Sequence, residues 1–304
     1  MLTVLLTFVR GFAMGAADIV PGVSGGTVAL VLGIYERLIA SVRAGSSALG
    51  ALLRVDGSGS RAWFGRVEWS FIIPLGVGIL SAIVLLAHLI EDLLVDQPVA
   101  MAAAFLGLVA GSVVIALRLL RRPERRHLLI IGIVGIVVFA LLGLQGGTSE
   151  ETVTQISEPT LVAFFLAGSI AICAMILPGV SGSFLLVVLG MYGAVLGAVT
   201  SRDFLSLGVF AVGAIVGLAL FSQVLDRALR SHHDTVLAVL IGLMAGSVRV
   251  LWPWPLGVDS TDLGAPTGEI LIPIVVAAIG FAVVVVVGGF AQRLEESTHP
   301  AEAD

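Results

Sequence analysis

One cysteine, Cys173, stands in 304 residues, so the chain forms no internal disulfide and no multi-cysteine metal site. Cys173 itself reads as a small apolar residue in a helix. Lysine is absent altogether, all 16 basic residues being arginine. His88, His232 and His233 share no metal-ligand spacing with a carboxylate, so neither a metal nor a cofactor is expected. The first twenty residues lack a basic stretch ahead of their apolar run, so they read as retained structure and not as a cleaved signal. Charged residues make up only 12% of the chain. That scarcity excludes a soluble domain, because hydrophobic residues reach 58% and mean hydropathy is +1.10, more apolar surface than one core could bury. The apolar runs suffice for bilayer crossings of roughly 20 residues each. The expected class is an all-α, multi-pass membrane protein.

The net charge of −5 conceals a segregation. Segment 43–68 carries Arg43, Arg54, Arg61 and Arg66, and segment 118–127 carries Arg118, Arg121, Arg122, Arg125 and Arg126. Between them, 91–98 has acids and no base; 145–160 repeats that pattern. Segment 226–234 is basic again, and 253–269 has no base. Basic and base-free segments thus alternate, as the positive-inside rule requires, which puts both termini in the cytosol of a plasma (inner) membrane protein. No nucleic-acid partner is expected, membrane lipids are, and a homo-oligomer is compatible with the pattern.

What is abundant is repetition. Residues 18–36, "DIVPGVSGGTVALVLGIYE", return as "MILPGVSGSFLLVVLGMYG" at 175–193. Residues 8–42 match 165–199 without a gap at 14 of 35 positions, an offset of 157, so one unit is written twice. "FLGLVAGSV" (105–113) reappears as "LIGLMAGSV" (240–248) at an offset of 135, which locates 22 extra residues in the basic segment of the first copy. Each copy reads as a broken hairpin followed by three spans. The first copy, 1–145, holds hairpin 1–42, basic cytosolic loop 43–68 and spans 69–90, 100–117 and 128–144. The second, 157–292, holds hairpin 161–200 and spans 207–225, 235–251 and 270–290. Residues 293–304 form a short cytosolic tail. Three crossings per copy turn the second upside down, the inverted-repeat plan of many secondary transporters. From Arg10 to Val20 is about 16 Å of helix, half a bilayer's hydrocarbon. Re-entrant hairpins are therefore the preferred reading, although two full crossings fit the second copy by length as well.

The breaks raise a physical question, since Pro and Gly expose backbone polar groups that hydrocarbon cannot satisfy. Such backbone survives only where protein or a water-filled cavity covers it. Ser24 in "PGVSGGT", and Ser181 with Ser183 in "PGVSGS", can cap the following helix and leave its first N–H groups facing a cavity, an anion site. The same turns also serve close helix packing. Asp18, three residues before Pro21, is an intramembrane acid able to orient Arg10, carry a proton or bind a cation. It faces Met175 in the second copy. Glu36 and Arg37 read as a pair that snorkels to the interface, and Arg249 beside Trp252 and Trp254 as an anchor.

These residues carry a family likeness. "RGFAMGAADIVPGVSGGTVALVLGIYERLI" and "LPGVSGSFLLVVLGMY" resemble the two signature motifs of the bacterial and archaeal polyprenyl-phosphate transporters, along nearly the whole chain. The resemblance implies a carrier returning undecaprenyl phosphate, the lipid carrier of envelope polysaccharides, across the plasma membrane for reuse. It implies site residues Arg10, Asp18, Pro21, Gly22, Ser24, Gly25, Gly26, Thr27 and Glu36, with Arg37 beside them, and Pro178, Gly179, Ser181, Gly182 and Ser183. The expected chemistry has Ser24 and Ser181 on the phosphate and Arg10 as counter-charge, with alternating access of the two halves. Undecaprenyl-pyrophosphate phosphatases share the Pro-Gly-x-Ser turn, but place an Arg after that Ser and add a glutamate-rich motif. Here Gly25 and Gly182 follow the serines, so no enzyme is expected. A small-anion channel or carrier is the other alternative.

Overall fold

The computed structural model describes residues 2–20, 23–144, 156, 159–256 and 261–298. Pro21 and Gly22 of the first break lie outside the described residues. Twelve α-helices carry the described chain: α1 (Leu2–Asp18), α2 (Gly25–Val31), α3 (Tyr35–Leu53), α4 (Gly57–Phe64), α5 (Trp69–Asp96), α6 (Pro98–Arg118) and α7 (Arg125–Leu144), then α8 (Leu161–Ile176), α9 (Gly182–Val188), α10 (Tyr192–Thr200), α11 (Phe204–Ser247) and α12 (Leu271–Thr298). One isolated bridge, Pro255 to Leu263, is the only β pairing among the described residues. Helices satisfy their own backbone polar groups, which is what hydrocarbon demands.

Helices α5, α6, α7, α11 and α12 are long and apolar enough to cross a membrane, and the bent pair α9–α10 brings the number to as many as six. Most of their surface faces outward: Ile136 on α7 is 72% exposed and Leu85 on α5 is 68% exposed. In a chain this apolar, the outward face meets lipid. The protein is thus a multi-pass, all-helical membrane protein.

The spans read from sequence coincide with α5, α6, α7, the two limbs of α11, and α12. The limbs meet at His232, whose backbone (φ −141°, ψ 51°) is not helical. Gln97, between α5 and α6, has nearly the same conformation (φ −134°, ψ 52°) and lies 135 positions earlier. One corner of the fold is thus written twice, with Pro98 enforcing it in the first copy only.

Helix packing repeats at the same offsets. A Cβ on Gly11 would stand 2.1 Å from the Leu75 carbonyl oxygen, and one on Gly168 would stand 2.2 Å from that of Phe210. Gly78 meets the Phe8 carbonyl at 2.2 Å, as Gly213 meets that of Phe165 at 2.1 Å. Small residues let backbones touch where apolar side chains give no net driving force in lipid. So α1 lies along α5 as α8 lies along α11. The remaining partners are exchanged between copies: α6 packs on α12, and the second limb of α11 packs on α7. Gly107 abuts the Ala277 carbonyl in the first contact, and Gly242, 135 positions on, abuts Ile131 and Val134 in the second.

The hairpins differ from a simple pair of arms. The arm after the first break stops at Gly33 (φ +71°), and its counterpart stops at Gly190 (φ +66°). Ile34 N–H donates to the Ala29 carbonyl and Gly33 N–H to that of Leu30; Met191 with Leu186 and Gly190 with Val187 do the same. This is the 6→1 and 5→2 closure of a Schellman motif, which needs a left-handed residue that glycine supplies. Beyond it, α10 leaves α9 at 108°. The basic segment 43–68 is also more ordered than a loop, since α3 continues to Leu53 and α4 follows with Asp56 accepting from Gly59 N–H at 2.8 Å.

Candidate functional site

The two breaks meet. Ser24 caps α2, its Oγ accepting from Gly26 N–H at 3.1 Å, and it donates to the Met175 carbonyl at 3.2 Å at the end of α8. Gly179 N–H donates to Thr27 Oγ1 at 2.9 Å. The Tyr35 hydroxyl donates to the Ile176 carbonyl at 3.1 Å, and a Cβ on Gly26 would stand 2.7 Å from that same oxygen. The first break therefore supplies side-chain hydrogen-bond partners for backbone that the second leaves open, which is how irregular chain persists in an apolar interior.

Beside this junction lies a cavity of about 260 Å³, lined from the first break by Asp18 and Val23 and from the second by Val180, Ser181, Gly182 and Ser183, with Met175 and Phe210 closing it. Ser181 caps α9, and its Oγ lies 2.9 Å from Ser183 Oγ. A Cβ on Gly182 would stand 2.5 Å from Met175 Cγ, so the floor of the cavity is shaped for glycine. Asp18 receives the Gly25 N–H at 2.6 Å. The carboxylate thereby satisfies the first N–H of α2, the polarity favoured at a helix amino end.

The structure brings Asp18, Ser181, Gly182 and Ser183 to the cavity, while Ser24, Gly25, Gly26, Thr27, Pro178 and Gly179 are buried behind it. Ser24 uses its hydroxyl both as donor and as acceptor within the protein. Arg10 is half-buried on α1, two turns before Asp18, and does not line the cavity; among the described residues no arginine does. The amino end expected to offer free N–H groups in the first copy is filled by Asp18 instead. Glu36 and Arg37 stand away from the cavity, at the start of α3, and they bind other elements. Arg37 pairs with Glu68 at 2.5 Å and lies 4.2 Å from the Phe71 ring centroid. Glu36 Oε1 is 2.8 Å from His233 Nε2, and His233 Nδ1 is 3.0 Å from Asp234 Oδ1. That ring nitrogen holds the Glu36 carboxyl below its ordinary value.

Two functional-looking groups escaped the sequence reading. Tyr35 and Tyr192, the only tyrosines, occupy matched positions, and that coincidence was the available signal. Asp226, buried on α11, accepts from Arg43 of α3 and, at 3.0 Å, from Arg230 one turn along α11. Its signal was an acid opening a basic segment at the position matching Glu91. Arg249, read as an anchor, donates to the Thr261 carbonyl at 2.8 Å and lies over the Phe139 ring.

Apolar helices enclosing a polar centre, where two helix breaks are hydrogen-bonded to each other, define a multi-pass membrane protein. The chain belongs to the VCA0040-like family, described as undecaprenyl phosphate translocase-like, whose profile matches residues 14–263. It is 41% identical over 256 residues to the polyprenyl-phosphate transporter of Vibrio cholerae serotype O1 (strain ATCC 39315 / El Tor Inaba N16961), covering 82% of this chain and 78% of that protein. It is 32% identical over 296 residues to the polyprenyl-phosphate transporter of Staphylococcus aureus (strain NCTC 8325 / PS 47), covering 93% and 95%. No solved structure matches.

Proposed function

We propose that this protein moves undecaprenyl or another polyprenyl phosphate across the plasma membrane, returning the lipid carrier of envelope polysaccharides for reuse. The cavity between the two breaks carries this reading, because it offers hydroxyls and a helix amino end to an anion inside an apolar protein. Ser181 and Ser183, with the N–H groups of Gly182 and Ser183, take the phosphate oxygens. Ser24, Thr27, Pro178 and Gly179 hold the shape. Arg10, about 12 Å along the helix from Asp18, neutralises the head group as the site changes its exposure.

Two inverted halves, each with a re-entrant hairpin and both termini cytosolic, alternate access to the site around its centre. The relatives' names support the substrate, and the exchanged packing of α6 with α12 and of α7 with α11 supports the two-fold plan. The test is reconstitution into liposomes, following how fast a polyprenyl phosphate head group becomes accessible in the opposite leaflet. Ser181→Ala with Ser183→Ala should slow this at least tenfold in protein that folds normally. Unchanged transport in that double variant would remove the site, and no transport by the native chain would remove the function.

A further inference from the structure

Two apolar crevices adjoin the central cavity, one beside each break, and they correspond position by position. The first, of about 390 Å³, is lined by Val23, Val28, Val31, Leu108, Ser112 and Val284 among others. The second, of about 230 Å³, is lined by Val180, Leu185, Val188, Leu243, Ser247 and Val138. Five of these six pairs lie at the offsets of 157 and 135 that define the repeat. The sixth pair comes from the exchanged helices, Val284 on α12 and Val138 on α7.

Val23 and Val180 line both the cavity and their own crevice, so each crevice adjoins the polar centre. Ser181 does the same in the second copy. At the far end the lining reaches the outer surface, where Val287 is 46% exposed and Leu141 is 55% exposed. Each crevice thus lies between the buried middle of the protein and its lipid-facing exterior, and each is mostly aliphatic, with one phenylalanine (Phe105 in the first, Phe184 in the second) and a few hydroxyls.

We infer that the two crevices hold the first isoprene units of the substrate tail, one crevice for each orientation of the lipid, while the rest of the tail stays in the bilayer. This rests on the function proposed above. A phosphate fixed at Ser181–Ser183 must be followed by an apolar chain, and these two apolar crevices share lining residues with that cavity. A branched chain suits an aliphatic cleft of this kind, which takes apolar surface out of contact with headgroups and water. Filling the site from one leaflet uses the crevice of α2, α6 and α12, and from the other leaflet the crevice of α7, α9 and α11.

The experiment uses the full chain in nanodiscs with two polyprenyl phosphate photoprobes, one reactive beside the phosphate and one reactive in the second isoprene unit. The chain probe should label the segments around Leu108 and Val284 and those around Leu243 and Val138. Unlabelled polyprenyl phosphate should reduce that labelling at least tenfold, and a tenfold excess of phosphatidylglycerol should not. Leu243→Trp should abolish labelling of its own crevice and leave the other, with Leu108→Trp as the reciprocal variant. If either variant fails to fold, the competition in the native chain decides. Head-probe labelling at 181–183 with chain-probe labelling only on the outer helix faces overturns this inference and leaves the proposed function standing. Equal competition by phosphatidylglycerol also overturns it, making the crevices sites for ordinary acyl chains. No competable labelling by either probe overturns both.

Discussion

Asp18 illustrates how one side chain sets the character of a site. Its carboxylate accepts the Gly25 N–H at 2.6 Å, so removing it leaves a donor unpaired in an apolar interior. Asp18→Ala should lower unfolding stability by about 1–3 kcal/mol, whereas Asp18→Asn keeps an oxygen acceptor and should lose less than half of that; thermal unfolding in detergent measures the difference. Gly179 is a second case. Its backbone is left-handed (φ +80°) and a Cβ there would stand 2.6 Å from Met244 Cα. Gly179→Ala combines conformational strain with a backbone clash, and should cost at least about 2 kcal/mol on the same assay. Glu36 gives a pH dependence. Its carboxyl titrates below the ordinary value because His233 bonds it, so its contribution is present from the ordinary carboxylate range upward and fades as pH falls through the lowered value. His233→Ala should therefore flatten the acid limb of a stability-versus-pH curve, and an unchanged limb would remove Glu36 as its source.

At the scale of helices, backbone contact through glycine holds the pairs together. Gly78 and Gly213 occupy matched places on α5 and α11, where a Cβ would stand only 2.2 and 2.1 Å from a facing carbonyl oxygen. Gly78→Ala and Gly213→Ala should each force a helix pair apart and destabilise by about 1–3 kcal/mol. Gly197, in α10 with nothing within 4 Å of a Cβ, is the control. Gly197→Ala should be neutral or stabilise by up to about 1 kcal/mol, since alanine restricts the unfolded chain. The ion cluster at Asp226 plays another part, tying α3 to α11 through Arg43. The pairing is not repeated by symmetry, because the position matching Arg43 is Thr200, where α10 ends, while α3 runs on into the extra basic segment.

For the whole molecule, the consequence of exchanged packing is mutual dependence. The helix α6 buries its small face on α12, and the second limb of α11 buries its own on α7. Neither copy contains both members of either pair. Residues 1–145 expressed alone should therefore be degraded or aggregate, while the two halves co-expressed as separate chains should purify together in a 1:1 complex. Recovery of a stable, folded single half would show that the interlock matters less than the packing within each copy.

Much of this was legible in the chain itself. Composition determined a multi-pass helical membrane protein, because 58% hydrophobic residues leave no soluble alternative. The offsets of 157 and 135 determined that one unit occurs twice, and the same offsets recur in the helix contacts and in the two crevices. Local turn chemistry marked both Pro-Gly breaks, since those residues act on their own neighbours. What only tertiary structure decided is which groups share a place. Ser24 and Ser181 look equal in sequence, yet one is sealed between Gly26 and the Met175 carbonyl and the other opens on the cavity. Asp18 turned out to fill an amino end that the sequence had left to an anion, and Arg10 to stand away from it. The reason is physical: repeats encode each helix and its bends through short-range sterics, but the groups that seal Ser24, Thr27 and Tyr35 come from a chain segment some 150 residues distant.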